Sequence, residues 1–253
     1  MEGNALQTVE RSIQILELLA MRPYSQTELA KTMGLNKSTL FRLVKTLEMH
    51  KLVERDDVTG LYRVGIKLVE LASLRLNQIE IKTEAAPILR EASMKLQQVV
   101  HMAVLKDDQV VYIEKIEPLN HIRMYSMIGR TMPVHCTALG KSLLTHHSKQ
   151  EVFDIVSTRG MEKRTEHTLN SPEALWEQIQ VGKKAGYTVD NEENEPGIFC
   201  VAAPIFDYRG NVVAAISTSG DRNDFVYNPT DPCIQVITNT AKEISARLGY
   251  VAV

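Results

Sequence analysis

Apolar residues recur at helical spacing in the first part of the chain. Between Gln7 and Met21 they predict one helix, which Pro23 closes because proline cannot continue a helix. Its expected apolar face consists of Val9, Ile13, Leu16, Leu19 and Ala20. Ser25 and Glu28 then have the spacing of a capping box, in which each side chain bonds a free backbone donor at a helix start. A second, short helix is therefore predicted from Ser25.

A third helix is predicted after a sharp turn. Gly34 stands at that turn, where a residue without a side chain costs least, and Asn36 can cap the next helix start. The apolar residues of this helix are spaced to form one buried face: Leu40, Leu43, Val44 and Leu47. The positions left outside are short, hydroxylic or basic: Lys37, Ser38, Thr39, Arg42, Lys45 and Thr46.

Two short alternating segments, Leu52 to Arg55 and Leu61 to Val64, flank a turn and predict a hairpin. Two helices joined by a tight turn and followed by a hairpin form a winged helix-turn-helix. Hydroxyl and cationic groups bond phosphate oxygens and base edges, so the exposed face favours DNA binding. The residues expected to contact DNA are Ser25, Gln26, Lys37, Ser38, Thr39, Arg42, Lys45 and Arg63. The same unit could instead be a purely structural subdomain, because many solvated helices carry Lys and Arg.

Charge is also distributed unevenly along the chain. The 253 residues carry a net charge of −2. Residues 22–67 hold nine basic and five acidic residues, whereas residues 82–253 hold eighteen basic and twenty-one acidic residues. Attraction to DNA phosphate is therefore expected in one small part of the chain. The length itself favours two domains.

Residues 65–82 are expected to form a linker helix between these domains. Their apolar side chains cover more than one helical face: Leu68, Val69, Leu71, Ala72, Leu74 and Leu76. A helix that packed only against its own domain would need a single apolar stripe, so the extra coverage favours contact with a second copy of the chain. The predicted division is a winged helix-turn-helix domain at 1–64, a linker helix at 65–82 and a second domain at 83–253.

Helical and strand patterns alternate beyond the linker. Helices are predicted at 85–98, 139–144, 149–157, 172–185 and 231–248, and strands at 99–105, 109–116, 122–126, 198–206 and 211–217. Short turns join several consecutive strands, which favours antiparallel pairing. An α+β domain with an antiparallel sheet flanked by helices is expected.

Cysteine content and hydropathy limit the environment of the protein. The three cysteines, Cys136, Cys200 and Cys233, form no C-x-x-C pair and indicate a reducing compartment. No apolar run approaches the roughly 18 residues of a membrane helix, and the start of the chain has no apolar targeting core. A cytoplasmic protein without membrane contact is expected.

The sequence gives no catalytic residue, metal site or cofactor. His135 and Cys136 could be considered as a base and a nucleophile, but neighbours on an extended chain point apart and no motif supplies a third, orienting group. His146 and His147 lack the spacing of a helical metal pair. The acidic run at 190–195 matches no known cation loop.

Several stretches together resemble the IclR family of bacterial transcription regulators over essentially the whole chain. They are Lys37-Ser38-Thr39 with Arg42, residues 135–141 (HCTALGK) and residues 190–219. Residues 122–130 (IRMYSMIGR) and 190–193 (DNEE) are most similar to the KdgR branch, which regulates catabolism of 2-keto-3-deoxygluconate and of pectin or hexuronate. The resemblance implies a GAF-like effector domain and a homodimer or homotetramer that acts on double-stranded operator DNA. It also implies a small organic acid effector such as 2-keto-3-deoxygluconate.

The resemblance further implies an effector site made by Met124, Ala138, Leu139, Asp190, Cys200, Ser217 and Ser219. Ala138 and Leu139 would offer backbone N–H groups at a helix start, which favour an anion. At the position of Leu139, many relatives have a smaller residue. Ser217 and Ser219 are two apart on a strand and point to one face. Without the resemblance, the serines are equally explained as solvent-facing, Cys200 as a small buried apolar residue and Asp190 as part of a solvated acidic loop.

The expected function is repression of sugar-acid catabolism, relieved by a small keto acid or sugar acid. One alternative is a ligand-responsive activator of an aromatic or short-chain organic acid pathway. Others are an enzyme acting on a small organic acid and an architectural DNA-binding protein. The architectural alternative would leave residues 83–250 without a purpose.

Overall fold

The computed structural model describes residues 6–77, 80–118, 126–221 and 230–251. The chain divides into two compact units, Met1–Gln78 and Ile79–Val253. The first unit contains α1 (Gln7–Met21), α2 (Gln26–Thr32), α3 (Lys37–Met49), β1 (Val53–Arg55), β2 (Tyr62–Val64) and α4 (Ile66–Asn77). The division falls inside the predicted linker at 65–82, and the three-part division at 1–64, 65–82 and 83–253 stays a prediction.

Local signals in the sequence produce the elements of the first unit. Ser25 Oγ accepts from the N–H of Glu28 at 3.2 Å, while the Glu28 carboxylate accepts from the N–H of Ser25 at 2.8 Å. Asn36 Oδ1 accepts from the N–H of Thr39 at 2.8 Å and caps α3. Gly34, at the turn between α2 and α3, has φ +62°, which favours glycine. Strands β1 and β2 pair antiparallel, so the predicted winged helix-turn-helix is confirmed.

The predicted apolar face of α1 is wrong in part. Ile15 and Leu19 are the buried residues of this helix, whereas Val9 and Ile13 are about half exposed. Apolar residues occur around most of the circumference of α1, so their positions alone do not select the packed stripe. The core of the unit consists of Ile15, Leu19, Tyr24, Leu29, Ala30, Leu40, Leu43, Val44, Leu47, Val53 and Tyr62.

The second unit is built on a six-stranded antiparallel sheet in the order β5-β4-β3-β8-β7-β6. Its elements are α5 (Glu80–Leu96), β3 (Val99–Lys106), β4 (Gln109–Ile116), β5 (Thr131–Met132), α6 (Ala138–Leu143), α7 (Lys149–Arg159), α8 (Pro172–Ala185), β6 (Thr188–Asn191), β7 (Phe199–Phe206), β8 (Val212–Gly220) and α9 (Pro232–Arg247). One sheet face packs on α5 and α9, and the other on α6, α7 and α8. The predicted α+β class is confirmed.

Three details of the second unit differ from the sequence prediction. Helix α5 begins at Glu80 rather than residue 85, and the short strands β5 and β6 were not predicted. The predicted strand at 122–126 falls mainly outside the described residues. Within the described ranges, no helix is both long and apolar enough to cross a membrane.

Candidate functional site

The outer face of α3 is the first candidate site. At 100° per residue, Ser38, Arg42 and Lys45 lie opposite the buried stripe of the helix, and all three are exposed. The Arg42 guanidinium forms no ion pair or hydrogen bond with any described residue, whereas Lys45 Nζ lies 2.9 Å from Glu48 Oε2. Arg42 is therefore free to bond a phosphate or a base edge.

The other predicted DNA contacts differ in availability. Lys37 is exposed and Thr39 is half-buried at the start of α3, and Gln26 is the half-buried first residue of α2. Ser25 already uses its hydroxyl, which donates to Glu28 Oε2 at 2.7 Å in the capping box. Arg63, in β2 of the wing, is exposed and lies 3.5 Å from a Glu54 carboxylate oxygen. DNA binding by these residues stays a prediction.

A basic cleft beside α3 was missed by the sequence analysis. Thr8 and Arg11 of α1 face Thr39, Arg42 and Thr46 of α3 across a cleft of about 240 Å³. Arg11 forms no ion pair with a described residue. Thr8 and Arg11 precede the buried Ile15 and Leu19 at helical spacing, so the correct choice of α1 face would have revealed them.

Phe41 is a second residue that the sequence analysis missed. Its side chain is 52% exposed on α3, next in sequence to Arg42. An aromatic ring on a recognition helix can contact the methyl group of thymine. The sequence signal was its position outside the buried stripe of α3.

Strand register brings four of the predicted effector residues together in the second unit. Asp190 pairs with Cys200, and Cys200 pairs with Ser219, so these residues form one row across β6, β7 and β8. Ser217 lies two residues from Ser219, opposite Ala202, on the sheet face that packs on α6. Cys200 Sγ and Ser219 Oγ are 3.1 Å apart. Both serines are buried, so their solvent-facing interpretation is wrong.

The start of α6 carries the next two predicted residues. Thr137 caps the helix, because its Oγ1 accepts from the N–H of Gly140 at 3.1 Å. The N–H groups of Ala138 and Leu139 donate to no described residue. The Leu139 side chain packs in the core, so only its backbone amide is available. Met124, the remaining predicted residue, lies outside the described residues.

His101 and Tyr112 extend the polar row and were not predicted. His101 pairs with Ser217 across β3 and β8, and its ring lies 5.1 Å from that of Tyr112. A hydrogen bond of 2.7 Å joins His101 Nε2 and Ser126 Oγ. Burial, with a contribution from Lys115, lowers the pKa of His101 to about 3, and burial raises the pKa of Tyr112. Both rings are therefore neutral hydrogen-bonding groups.

Asp190 is buried, so its interpretation as part of a solvated loop is wrong. The side chain is 2% exposed and accepts from the N–H of Glu193 at 2.7 Å through Oδ1. Burial, followed by the nearby Glu193 carboxylate, raises the pKa of Asp190 to about 7. A raised carboxyl pKa inside a polar cluster is typical of a ligand site.

The geometry at His135 and Cys136 does not make a catalytic pair. Burial raises the pKa of the Cys136 thiol to about 12, so it stays protonated at neutral pH. His135 Nε2 is 3.1 Å from the carbonyl oxygen of Glu162 rather than from the thiol. Among the residues described, no cluster of His, Cys, Asp and Glu could hold a metal ion.

A separate groove of about 460 Å³ lies between α8 and β6. It is lined by Leu169, Ala174, Glu177, Gln178, Val181, Gly182, Ala185, Tyr187, Thr188 and Val189. None of the predicted effector residues that the structure describes lines it. The groove is thus distinct from the polar row of Asp190, Cys200 and Ser219.

Comparison with known proteins identifies the family of both units. The model of the IclR helix-turn-helix domain matches residues 8–57, and the model of the C-terminal domain of bacterial IclR transcriptional regulators matches residues 74–246. The chain is 33% identical over 250 residues to the transcriptional regulator KdgR of Dickeya chrysanthemi, covering 98% of this chain and 82% of that protein. It is 39% identical over 216 residues to the transcriptional regulator XynR of Escherichia coli, covering 85% and 86%.

A solved structure has the same fold over nearly the whole chain. The crystal structure of Thermotoga maritima IclR superimposes with a TM-score of 0.84 at 31% identity, covering 97% of this chain and 100% of that one. Together the two family models match most of the first unit and most of the second unit. The chain belongs to the IclR family of bacterial transcriptional regulators.

Proposed function

We propose that this regulator represses genes of sugar-acid catabolism and is released from its operator by a small keto acid or sugar acid such as 2-keto-3-deoxygluconate. The observation that carries the proposal is the 33% identity to KdgR over nearly the whole chain. The KdgR branch was also indicated by residues 122–130 and 190–193. Since the protein acts on bacterial DNA, it works in the cytoplasm.

The exposed face of α3 supports operator binding. Arg42 and Lys37 have no ion-pair partner among the described residues. The Ser38 hydroxyl beside them donates to Asn36 Oδ1 at 2.8 Å and can still accept a hydrogen bond. Cations supply affinity for phosphate, whereas arginine and hydroxyl groups also read base edges in the major groove. In this proposal α3 is the recognition helix. Arg63, in the hairpin of β1 and β2 that forms the wing, contacts the phosphate backbone of the DNA.

Apolar side chains left exposed on α4 support a homodimer or a homotetramer. Ile66, Val69, Leu71 and Leu74 are each roughly half exposed or more, which is unusual for four residues of one short helix. Burial of these residues against a second copy would stabilise a dimer. A dimer would place two copies of α3 in successive major grooves of a pseudo-palindromic operator.

The polar row of the second unit supports a hydroxylated acid as the effector. The free N–H groups of Ala138 and Leu139 suit a carboxylate, while Ser217, Ser219 and Asp190 suit hydroxyl or keto oxygens. Such a row fits a sugar acid better than an aromatic acid, which needs an apolar lining. The effector changes DNA binding only if it binds one arrangement of the dimer more tightly than the other.

Two measurements on the full-length protein test the proposal. Selection from random duplexes identifies an operator, and fluorescence anisotropy then follows its release as 2-keto-3-deoxygluconate is added. Release at concentrations near those that raise the thermal unfolding midpoint is the expected result. No preference for any duplex contradicts the DNA-binding part of the proposal.

The same assay separates the alternatives. Release by benzoate or pyruvate, without release by any sugar acid, contradicts the proposed pathway. Tighter operator binding in the presence of the acid contradicts release by the acid. Chemical conversion of the acid indicates an enzyme.

A further inference from the structure

The groove between α8 and β6 is large enough for a small ligand and is separate from the proposed effector site. Its volume of about 460 Å³ falls within the range of small-molecule sites, about 300 to 1,000 Å³. Leu169 and the start of β6 line part of it. The other part is a stripe of α8 at helical spacing that contains Ala174, Gln178, Val181 and Ala185.

The groove combines an exposed apolar side chain with a fixed helix position. Val181 is 67% exposed, whereas Ile179 of the same helix is fully buried. Gly182 is buried, and a Cβ there would lie 2.3 Å from Cγ2 of Thr188. Only glycine allows α8 to approach β6 this closely. This contact sets the distance between α8 and β6, so the groove is formed before any ligand binds.

Backbone groups at the edge of the sheet add polar capacity to the groove. Val189 lines it and belongs to β6, the last strand in the sheet order. The N–H of Glu192 donates to the carbonyl oxygen of Ile198, and the register of β6 on β7 continues without a shift from this pair. Alternate residues of β6 therefore bond β7. The N–H and C=O of Val189 point to the free edge instead.

The charge of the lining determines which ligand suits the groove. Among the described residues that line it, Glu177 carries the only charge, and its carboxylate has no ion-pair partner in the described part of the chain. Lys183 and Lys184 follow on α8 but do not line the groove. Residues 82–253 also hold more acidic than basic residues, twenty-one against eighteen. A cation is therefore attracted and an acid repelled.

Two hydrogen bonds connect the groove with α6. Gln178 Oε1 accepts from Lys141 Nζ at 2.9 Å. Thr188 Oγ1 donates to the carbonyl oxygen of Ala138 at 2.7 Å. Ala138 begins α6, and its N–H belongs to the proposed effector site. A ligand that fixes Gln178 and Thr188 would therefore also restrict α6.

We propose that the groove between α8 and β6 is a second ligand site for a small apolar molecule with a cationic group, such as an aromatic amine, and that its occupancy is coupled to the effector site through α6. The apolar part of the ligand packs on Val181 and Leu169, and its cation pairs with Glu177. The coupling rests on the proposed function in one respect, namely that the effector binds at the start of α6. The groove site itself does not depend on that function.

Three probes of one shape test the preference for a cation. Titrations of the full-length protein, followed by saturation-transfer NMR, compare 2-phenylethylamine, 2-phenylethanol and 3-phenylpropionate at millimolar concentrations. The amine should bind more tightly than the alcohol. Added salt should weaken binding of the amine and leave that of the alcohol nearly unchanged, because salt screens an exposed ion pair. The groove should bind the acid least.

Two pairs of variants locate the binding. E177Q should lower affinity for the amine about two- to fivefold without changing that for the alcohol, whereas E173Q, at an exposed glutamate of α8 outside the groove, should change neither. V181W should abolish most binding of the amine, because its indole ring fills the groove. K183W, at an exposed position of α8 outside the groove, should retain it. Val181 is exposed, so its replacement leaves the core intact.

Several results would overturn the groove site. They are absence of amine binding by the wild type, equal loss of binding in V181W and K183W, and an unchanged amine affinity in E177Q. Tighter binding of the acid than of the amine, when that binding is lost in V181W, would contradict the charge of the ligand. A lower oligomeric mass of V181W than of K183W in sedimentation would show that a second copy of the chain covers the groove.

Hydrogen exchange tests the coupling without an effector. Saturating 2-phenylethylamine should slow exchange of the backbone N–H groups of α6 (Ala138–Leu143) in the wild type and not in V181W, while exchange in α9 stays constant. Unchanged exchange in α6 overturns the coupling. The amine should also change the affinity for 2-keto-3-deoxygluconate, and the acid should change the affinity for the amine by the same factor. If the acid does not bind at all, the proposed effector is wrong, while amine binding and exchange still decide the groove site and its link to α6.

Discussion

Replacement of Arg42 by alanine tests the proposed recognition helix α3 at an exposed position. The guanidinium has no partner among the described residues, and alanine is a good helix former, so the free energy of unfolding should change by no more than about 0.5 kcal/mol. Loss of a DNA contact by arginine should cost on the order of 1 to 3 kcal/mol of binding free energy. The operator affinity of Arg42→Ala should therefore fall by roughly five- to 150-fold.

Anisotropy titrations at several salt concentrations show which kind of contact Arg42 makes. If it reads a base, affinity for the operator should fall while affinity for unrelated duplex stays nearly constant. If it binds phosphate, both affinities should fall, and the slope of log affinity against log salt should decrease by about 0.9. Circular dichroism and thermal unfolding confirm that the variant is folded.

Lys31→Ala is the matched control for Arg42→Ala. Lys31 is an exposed cation in the last turn of α2 and has no ion pair with a described residue, but it does not lie on the outer face of α3. Its removal changes net charge by the same amount. Equal losses of operator affinity in the two variants would refute the assignment of α3 as the reading surface, because they would reflect net charge alone.

Three further variants or measurements test other parts of the structure. Arg11→Ala should weaken binding to all duplexes similarly and lower the salt slope by about 0.9, if the cleft between α1 and α3 holds a phosphate; an unchanged slope argues against this. Gly140→Ala should reduce the free energy of unfolding by on the order of 1 to 3 kcal/mol in denaturant titrations, because a Cβ there would lie 2.4 Å from the Cα and carbonyl oxygen of Val134; equal stability would contradict the packing. The Cys136 thiol should react with Ellman's reagent at pH 8 far more slowly in the native than in the unfolded protein, because its pKa is raised to about 12; similar rates would contradict its burial.

Local signals predicted the elements of this fold well. The capping box at Ser25 and the cap at Asn36 set the starts of α2 and α3, and Pro172 marks the first residue of α8 as expected. Such signals depend on residues three or four apart, so a sequence displays them directly. The face of α1 was predicted wrongly because the choice between several apolar stripes depends on what packs against the helix.

The candidate effector site was predictable only in part. The common face of Ser217 and Ser219 follows from strand periodicity alone. His101 pairs with Ser217, and Lys141 contacts Glu193, which is 52 positions away in the chain, so only the sheet register and the packing of α6 bring these residues near the site. The buried state of Asp190 could not be predicted from an acidic run, since it depends on the strands and the helix that cover it.

The separate hydrophobic cores of the two units have an evolutionary consequence. One core is confined to residues before α4, and the two cores of the second unit contain only residues after Ile79. Core mutations in the second unit therefore leave the hydrophobic core of the first unit intact. Core mutations in the first unit likewise leave the cores of the second unit intact. Gene recombination near the junction could join the first unit to a different effector domain. Such a fusion would give bacteria new inducers for an existing operator.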